Sequence, residues 1–200
     1  MPCWGPAWFA TRGPNASGSL SMVRSTESAT PMVDTFAASD PDPWNHSCSL
    51  TDVALEGEYE PSPEAWVATQ VATYERTGGH EANTLKDTGF PIIIVTMRGN
   101  KSGKVRKMAL MRVEHDGEYA LVASHGGRDE HPVWYYNLQA DPRSVTIQDG
   151  REPFDVEVRE VGSEERALWF ARAVAAYPHY AERQMKTQRQ IPIFVATRRS

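Results

Sequence analysis

Pro91-Ile92-Ile93-Ile94-Val95-Thr96-Met97, followed at once by Arg98-Gly99-Asn100-Lys101-Ser102-Gly103-Lys104, is the stretch on which the fold depends. The first part is uncharged and dominated by β-branched residues, with no polar alternation. A short run of that kind is a strand covered on both faces. It is far below the roughly 18 apolar residues of a membrane span. The second part is polar and carries two glycines, so the chain turns there. Val105 to Glu114 resumes as a strand, and His115-Asp116-Gly117-Glu118 carries the Asp-Gly signal of a hairpin. Tyr119 to Ser124 is the return strand.

Beyond it, Gly126-Gly127 opens a loop. Pro132 to Leu138 reads as a short helix stopped by Asp141-Pro142. Ser144 to Gln148, the turn Asp149-Gly150 and Phe154 to Val158 form a second hairpin. Phe154, Val156 and Val158 lie on one face of its second strand, with Asp155, Glu157 and Arg159 on the other. Ile191 to Val195 is a last strand. On the N-terminal side, Ser62 and Pro63 read as the cap and first residue of a helix through Trp66, Gln70 and Tyr74, ended by Gly78-Gly79. Ser163 supplies the cap half of a capping box, with Arg166 where Glu or Gln would complete it. That helix runs through Trp169, Phe170 and Val174 to about Tyr177, and Pro178 admits a short helix over His179 to Glu182. The pattern predicts an α+β fold: a six-stranded antiparallel barrel with flanking helices over residues 62–200.

Residues 1–61 are rich in Ser, Thr, Pro, Gly, Ala and Asp and show no sustained period, which predicts a disordered N-terminal extension. Met22 and Met32 are alternative starts, so an over-long reading frame also accounts for this segment. Residues 1–62 hold two basic residues, Arg12 and Arg24, against eight acidic ones. The remainder holds 19 basic and 18 acidic residues and is near neutral, which argues against a nucleic-acid partner. The two cysteines, Cys3 and Cys48, form no CxxC pair, and His46 with Cys48 lacks further ligands. No metal site is expected, and a reducing cytoplasm is the expected compartment. No integral membrane segment is expected, and peripheral membrane contact stays open.

Chemistry-bearing residues gather in a few places. Arg98, Lys101, Lys104, Arg106, Lys107 and Arg112 fall in fifteen residues that hold no acid. With Gly99 and Gly103 beside them they can cradle a phosphate or carboxylate, or form a solvated loop. Ser124-His125-Gly126-Gly127 can expose backbone N–H groups to a ligand, or be an ordinary turn. Trp134-Tyr135-Tyr136 cannot all face one core, so one of them is expected beside a groove where a planar ligand could stack. Tyr177 and Tyr180 can present phenols around Pro178. No GxSxG, HExxH, P-loop or paired-carboxylate spacing is present, so hydrolase chemistry lacks its usual residues.

Thr96 to Gly103 (TMRGNKSG), Arg106, Val122 to Gly127 (VASHGG), His131 to Leu138, Tyr177-Pro178-His179-Tyr180 and Arg189-Gln190-Ile191-Pro192 together resemble the deazaflavin-dependent nitroreductase family, over roughly residues 62–198. The resemblance implies a split β-barrel of the FMN-binding type that holds the deazaflavin coenzyme F420 in a groove. It implies that Asn100, Lys101, Ser102 and Arg106 hold the coenzyme's phosphate and the near end of its glutamate tail. It places Lys107, Met108, Ala109, Leu110 and Met111 along the coenzyme, and Val122, Ala123, Ser124 and His125 beneath the ring. Val133, Trp134, Tyr135, Tyr136 and Asn137 match a further coenzyme-contacting stretch, and Tyr180 a tyrosine near the acceptor.

The implied reaction is hydride transfer from reduced coenzyme (F420H2) to a small electrophile such as a quinone, a nitro compound or an activated alkene. Ser124 and Tyr180 are its expected catalytic residues. Three departures bear on the site. Asn100 stands where arginine is common, His125 where lysine is common, and Arg183 where some nitroreductase-active relatives have tyrosine. The last alters the acceptor pocket. A barrel that binds deazaflavin or flavin without turnover, and an FMN reductase of the same fold, are the alternatives. Monomer and homodimer are both compatible with the sequence.

Overall fold

Both faces of the strand Ile92–Arg98 (β1) are covered, which is why its sequence carries no polar alternation. Ile92 and Ile94 face one hydrophobic core, and Ile93, Val95 and Met97 face another. The first core is closed by the helices Ala65–Thr77 (α1), Ser163–Ala176 (α3) and His179–Met185 (α4), through Val71, Tyr74, Trp169, Ala173 and Tyr180. The second is closed by the helix Val133–Ala140 (α2), through Trp134, Tyr135 and Leu138. These facts come from a computed structural model that describes residues 55–199. Of the expected disordered extension, residues 1–54, with Cys3, His46 and Cys48, lie outside the described residues.

The strands form one antiparallel sheet. Its members are β1, Val105–Met111 (β2), Glu114–His115 (β3), Glu118–Val122 (β4), Val145–Gln148 (β5), Pro153–Val161 (β6) and Ile193–Arg198 (β7). Their order is β2-β1-β5-β6-β7-β4-β3. The sheet therefore has seven strands, where the sequence predicts six. The extra one arises because the predicted strand Val105 to Glu114 changes partner midway. At Arg112 the backbone N–H donates to Pro91 O at 2.9 Å, and one residue later Val113 O accepts from Ala120 N at 2.8 Å. One continuous chain segment thus joins the two ends of the strand order and curls the sheet into a half-barrel. Arg112 Nε and the Tyr119 hydroxyl both donate to Asp149 Oδ2, at 2.7 and 2.9 Å, which fastens the second hairpin to this corner. Burial, with Asp149 beside it, pushes the Tyr119 phenol up to about 12.

The Asp-Gly hairpin forms as expected, with Asp116 and Gly117 both at positive φ (53° and 81°). Gly78 ends α1 in the left-handed conformation. Two expected caps do not form. Helix α1 starts at Ala65 with Glu64 as its N-cap, and Ser62 Oγ instead accepts from Glu64 N in a turn ahead of the helix. Gly162 caps α3, and Ser163 is its first residue at φ 50° with no side-chain cap bond. In both places the side chain sits one or two residues too early or too late to reach the free N–H groups. Residues 55–61, read from sequence as part of the extension, are hydrogen-bonded to β2: Glu60 N donates to Val105 O and Val105 N to Glu58 O.

Candidate functional site

The basic turn is a closed backbone loop between β1 and β2. Gly99 N donates to Lys104 O, and Gly103 N to Gly99 O, both at 2.8 Å. Gly103 sits at φ 68° with open space where a side chain would be. Arg98 braces the loop by donating Nη1 to Gly103 O at 3.0 Å, so that cation serves the turn itself. Asn137 Oδ1, buried on α2, accepts from Asn100 N at 3.0 Å. Two residues predicted to touch one ligand therefore touch each other, and α2 anchors the turn. Lys101 is exposed and forms no ion pair among the described residues. Ser102 is exposed beside it.

Strand alternation divides the stretch predicted to run along the coenzyme. Met108 and Leu110 pack half-buried against the α2 core, on the side to which Arg106 also points. Ala109 and Met111 belong to the other core, and Lys107 Nζ donates to Glu75 Oε1 of α1 at 2.7 Å. Past Val105, no strand pairs with the outer edge of β2 among the described residues. On α2, Trp134, Tyr135 and Asn137 are buried, while Val133 and Tyr136 are exposed and share one helix face. Tyr136 is thus the aromatic that the core does not take.

The segment after β4 is held from several sides. Val122 and Ala123 are buried, and Ser124 is 5% exposed. Arg189 Nη2 donates to Ala123 O and Ser124 O at 3.1 Å, its Nε to Arg128 O at 2.8 Å, and its Nη1 lies 3.3 Å from His131 Nδ1. His125 takes φ 46°, and its Nδ1–H donates to Glu130 O at 2.9 Å. Arg183 Nη1 donates to Ser124 Oγ at 3.0 Å, and its Nη2 to the Tyr177 hydroxyl at 3.2 Å. The guanidinium lies over the rings of Tyr177 and Tyr180, at 5.0 and 5.6 Å. Tyr180 is 3% exposed, and burial raises its phenol pKa while Arg183 pulls it the other way. It therefore stays protonated at neutral pH.

This arrangement can stabilise a developing negative charge. Ser124 Oγ already accepts from Arg183, so its own hydrogen is left to give to an acceptor. Arg183 places a fixed cation beside that oxygen. The sequence points to Ser124, Tyr180 and Arg183, whereas Arg189 enters only as part of the Arg189-Gln190-Ile191-Pro192 block of the resemblance, with no role assigned. Glu58 and Glu60 were missed because they fall ahead of the expected domain boundary.

Gly127 sets the spacing between this segment and α4. It sits at φ 87°, and a Cβ there would lie 2.8 Å from Arg183 O and 2.9 Å from Lys186 Cβ. Backbone cannot yield as a side-chain tip does. Gly127→Ala is expected to push α4 off Ser124 and lower kcat/KM about tenfold or more, measured with a quinone acceptor beside a thermal unfolding control. Unchanged kinetics would show that the spacing is not needed.

The profile described as F420H(2)-dependent quinone reductase matches residues 66–198. A putative F420H(2)-dependent quinone reductase of Mycobacterium tuberculosis is 33% identical over 105 residues, covering 52% of this chain and 87% of the relative. An F420H(2)-dependent quinone reductase of the same organism is 30% identical over 131 residues, covering 64% and 87%. A solved F420-H2 dependent reductase (FDR-A) is 51% identical with a TM-score of 0.50, covering 53% of this chain and 93% of that one. Another solved chain, described as a domain-swapped dimer, is 46% identical with a TM-score of 0.52 and covers 68% and 99%. Among the described residues no helix is long and apolar enough to cross a membrane. With the match spanning residues 66–198, two thirds of the sequence and nearly all of the described residues, the chain belongs to the F420H(2)-dependent quinone reductase family, and is an oxidoreductase that works with reduced coenzyme F420.

Proposed function

We propose that the acidic end of the coenzyme is held at the Gly99–Lys104 turn by Asn100, Lys101, Ser102 and Arg106, with the ring against Val122–His125. The acceptor then lies between Ser124 and the exposed face of α2. The observation that carries this is the bond from Asn100 N–H to Asn137 Oδ1. It fastens the cationic turn to a helix whose Trp134 packs in the same core as Ala123, directly before Ser124. One rigid element thus spans the anion site and the reacting site. An open β2 edge and a cation without a carboxylate partner, Lys101, suit an elongated anionic ligand.

Reduced deazaflavin, when bound, supplies a hydride to the acceptor. The chain's residues position and stabilise. Ser124 donates its hydroxyl hydrogen to the acceptor oxygen that gains charge. The Arg183 cation, fixed on Ser124 Oγ and Tyr177, lowers the cost of that charge. Tyr180, buried and protonated, orients the acceptor and is a poor proton source at pH 7. Val133 and Tyr136 offer apolar surface to a planar acceptor. A quinone is the acceptor this pocket suits best, with nitro compounds and activated alkenes as lesser substrates.

We further read the half-barrel as a six-stranded split barrel in which β2 and β3 are one bent strand. The expected compartment is the cytoplasm, and light scattering on the purified protein decides between monomer and homodimer.

Titration of tryptophan fluorescence with F420 and with FMN tests the coenzyme, since Trp134 sits beside the proposed site. Saturable quenching at micromolar F420 is expected, and menadione should then oxidise F420H2 in the protein's presence. Ser124→Ala should lower kcat about tenfold or more while leaving the F420 dissociation constant within a few-fold. Quenching by FMN and not by F420, or turnover indifferent to Ser124, would defeat this reading.

A further inference from the structure

The cations of the basic turn are already matched by carboxylates of the same chain. Lys104 Nζ meets Glu58 Oε1 and Arg106 Nη2 meets Glu60 Oε2, both at 2.8 Å. Arg98 Nη2 donates to Glu56 O at 3.2 Å. Tyr59 forms a parallel bridge to Val105, and Lys107 Nζ lies 5.1 Å from the Tyr59 ring. The segment Glu56-Gly57-Glu58-Tyr59-Glu60 thus lies against the start of β2 through one bridge at Val105, with the Glu58 and Glu60 carboxylates on Lys104 and Arg106. Lys101, at the tip of the turn, is left over.

We propose that this acidic segment is an internal competitor for the acidic end of the coenzyme, so that Glu58 and Glu60 set coenzyme affinity. The proposal rests on the placement of the coenzyme given above. The geometry is that of competition rather than of a fixed wall. A phosphate or carboxylate and a glutamate side chain ask the same thing of Arg106, and the Nη2 hydrogen given to Glu60 is not free for a second anion on that edge. The attachment is also weak enough to yield. Two backbone hydrogen bonds, Glu60 N to Val105 O and Val105 N to Glu58 O, hold the segment to the strand. The side chains in the two ion pairs are 32–73% exposed, a range in which such pairs contribute little stability. An incoming anion therefore displaces Glu60 from Arg106 and then Glu58 from Lys104. Lys101, with no carboxylate to lose, offers first contact.

The test uses the full chain with Glu58→Gln and Glu60→Gln, titrated with F420 at two salt concentrations. F420 is expected to bind about tenfold more tightly than to the natural sequence, with a steeper salt dependence. Charge reversal by Glu58→Lys with Glu60→Lys should extend the gain. A deazaflavin fragment without phosphate or glutamates should bind all three proteins alike. Equal or weaker F420 binding by the glutamine variant would overturn the competition, and if Lys101→Ala with Arg106→Ala still weakens F420 binding, the coenzyme placement survives that failure. Should the Lys101 and Arg106 substitutions also have no effect, both proposals fall together. A gain for the uncharged fragment equal to that for F420 would likewise overturn the competition, because it would mark loosening of the fold rather than relief of charge.

Discussion

Replacing Lys101 and Arg106 together by alanine is expected to raise the F420 dissociation constant about a hundredfold, with kcat at saturating coenzyme nearly unchanged. Hydrogen bonds to charged groups contribute about 1.5–3 kcal/mol each when formed, and the lower part of that range applies at an exposed turn. The two residues are not equivalent. Arg106 gives up its pair with Glu60 on binding, so part of its gain offsets that loss. Lys101 gives up nothing of the kind and should carry the larger share. Arg106→Lys should recover only part of the affinity, since an ammonium cannot reproduce a two-pronged contact. Fluorescence titration gives the constants and steady-state turnover gives kcat. A shift below threefold for the double variant would remove the turn from the coenzyme site.

Arg189→Ala is expected to lower both stability and turnover. Its guanidinium is the shared donor for Arg128 O, Ala123 O and Ser124 O. Truncation leaves those carbonyls to find water in a half-buried place, at a net cost of about 3 kcal/mol. For a chain of this size that is roughly a 6–12 °C fall in Tm. Because two of the carbonyls flank the Ser124 side chain, kcat/KM should fall by at least tenfold as well. Tm and kinetics of Arg189→Ala, with Arg189→Lys as a partial rescue, measure this. A variant with normal Tm and normal turnover would show that the cluster is dispensable.

The same cluster has a pH signature. Burial first, and the Arg189 cation second, hold the His131 pKa below its ordinary value of 6.5. Its folded form is therefore the neutral one, with the ring stacked on Tyr135 at 4.2 Å. The stability it contributes is present above pH 6.5 and is lost as pH falls towards the lowered folded value. A melting series from pH 8 to 5 should show this loss, and it should shrink in Arg189→Ala.

Much of the proposed candidate site could be named from the chain because its residues lie in local runs. The turn from Arg98 to Lys104, the glycines after Ser124 and the aromatics of α2 each announce themselves within a few positions. The seventh strand was not legible, since the break at Arg112 comes from a change of partner between β1 and β4, and no residue there is a breaker. The division of β2 was legible in principle. Alternation puts Lys107, Ala109 and Met111 opposite Arg106, Met108 and Leu110, whereas the resemblance names the whole run. The missed caps at Ser62 and Ser163 show how little a cap motif says about where a helix begins when packing decides it.

By itself the amino-acid sequence determined the antiparallel α+β character, the Asp-Gly hairpin, the buried β1 and the clustering of positive charge on one turn. These follow from side-chain shape, backbone freedom and hydrophobic period, which act over a few residues. Only the tertiary structure decided what that charge faces. It set Glu58 and Glu60 on Lys104 and Arg106, Glu75 on Lys107, Asn137 under Asn100 and Arg183 on Ser124. Those partners lie up to 59 positions apart in the chain, and electrostatic pairing over such separations depends on how the sheet curls, which no local pattern specifies.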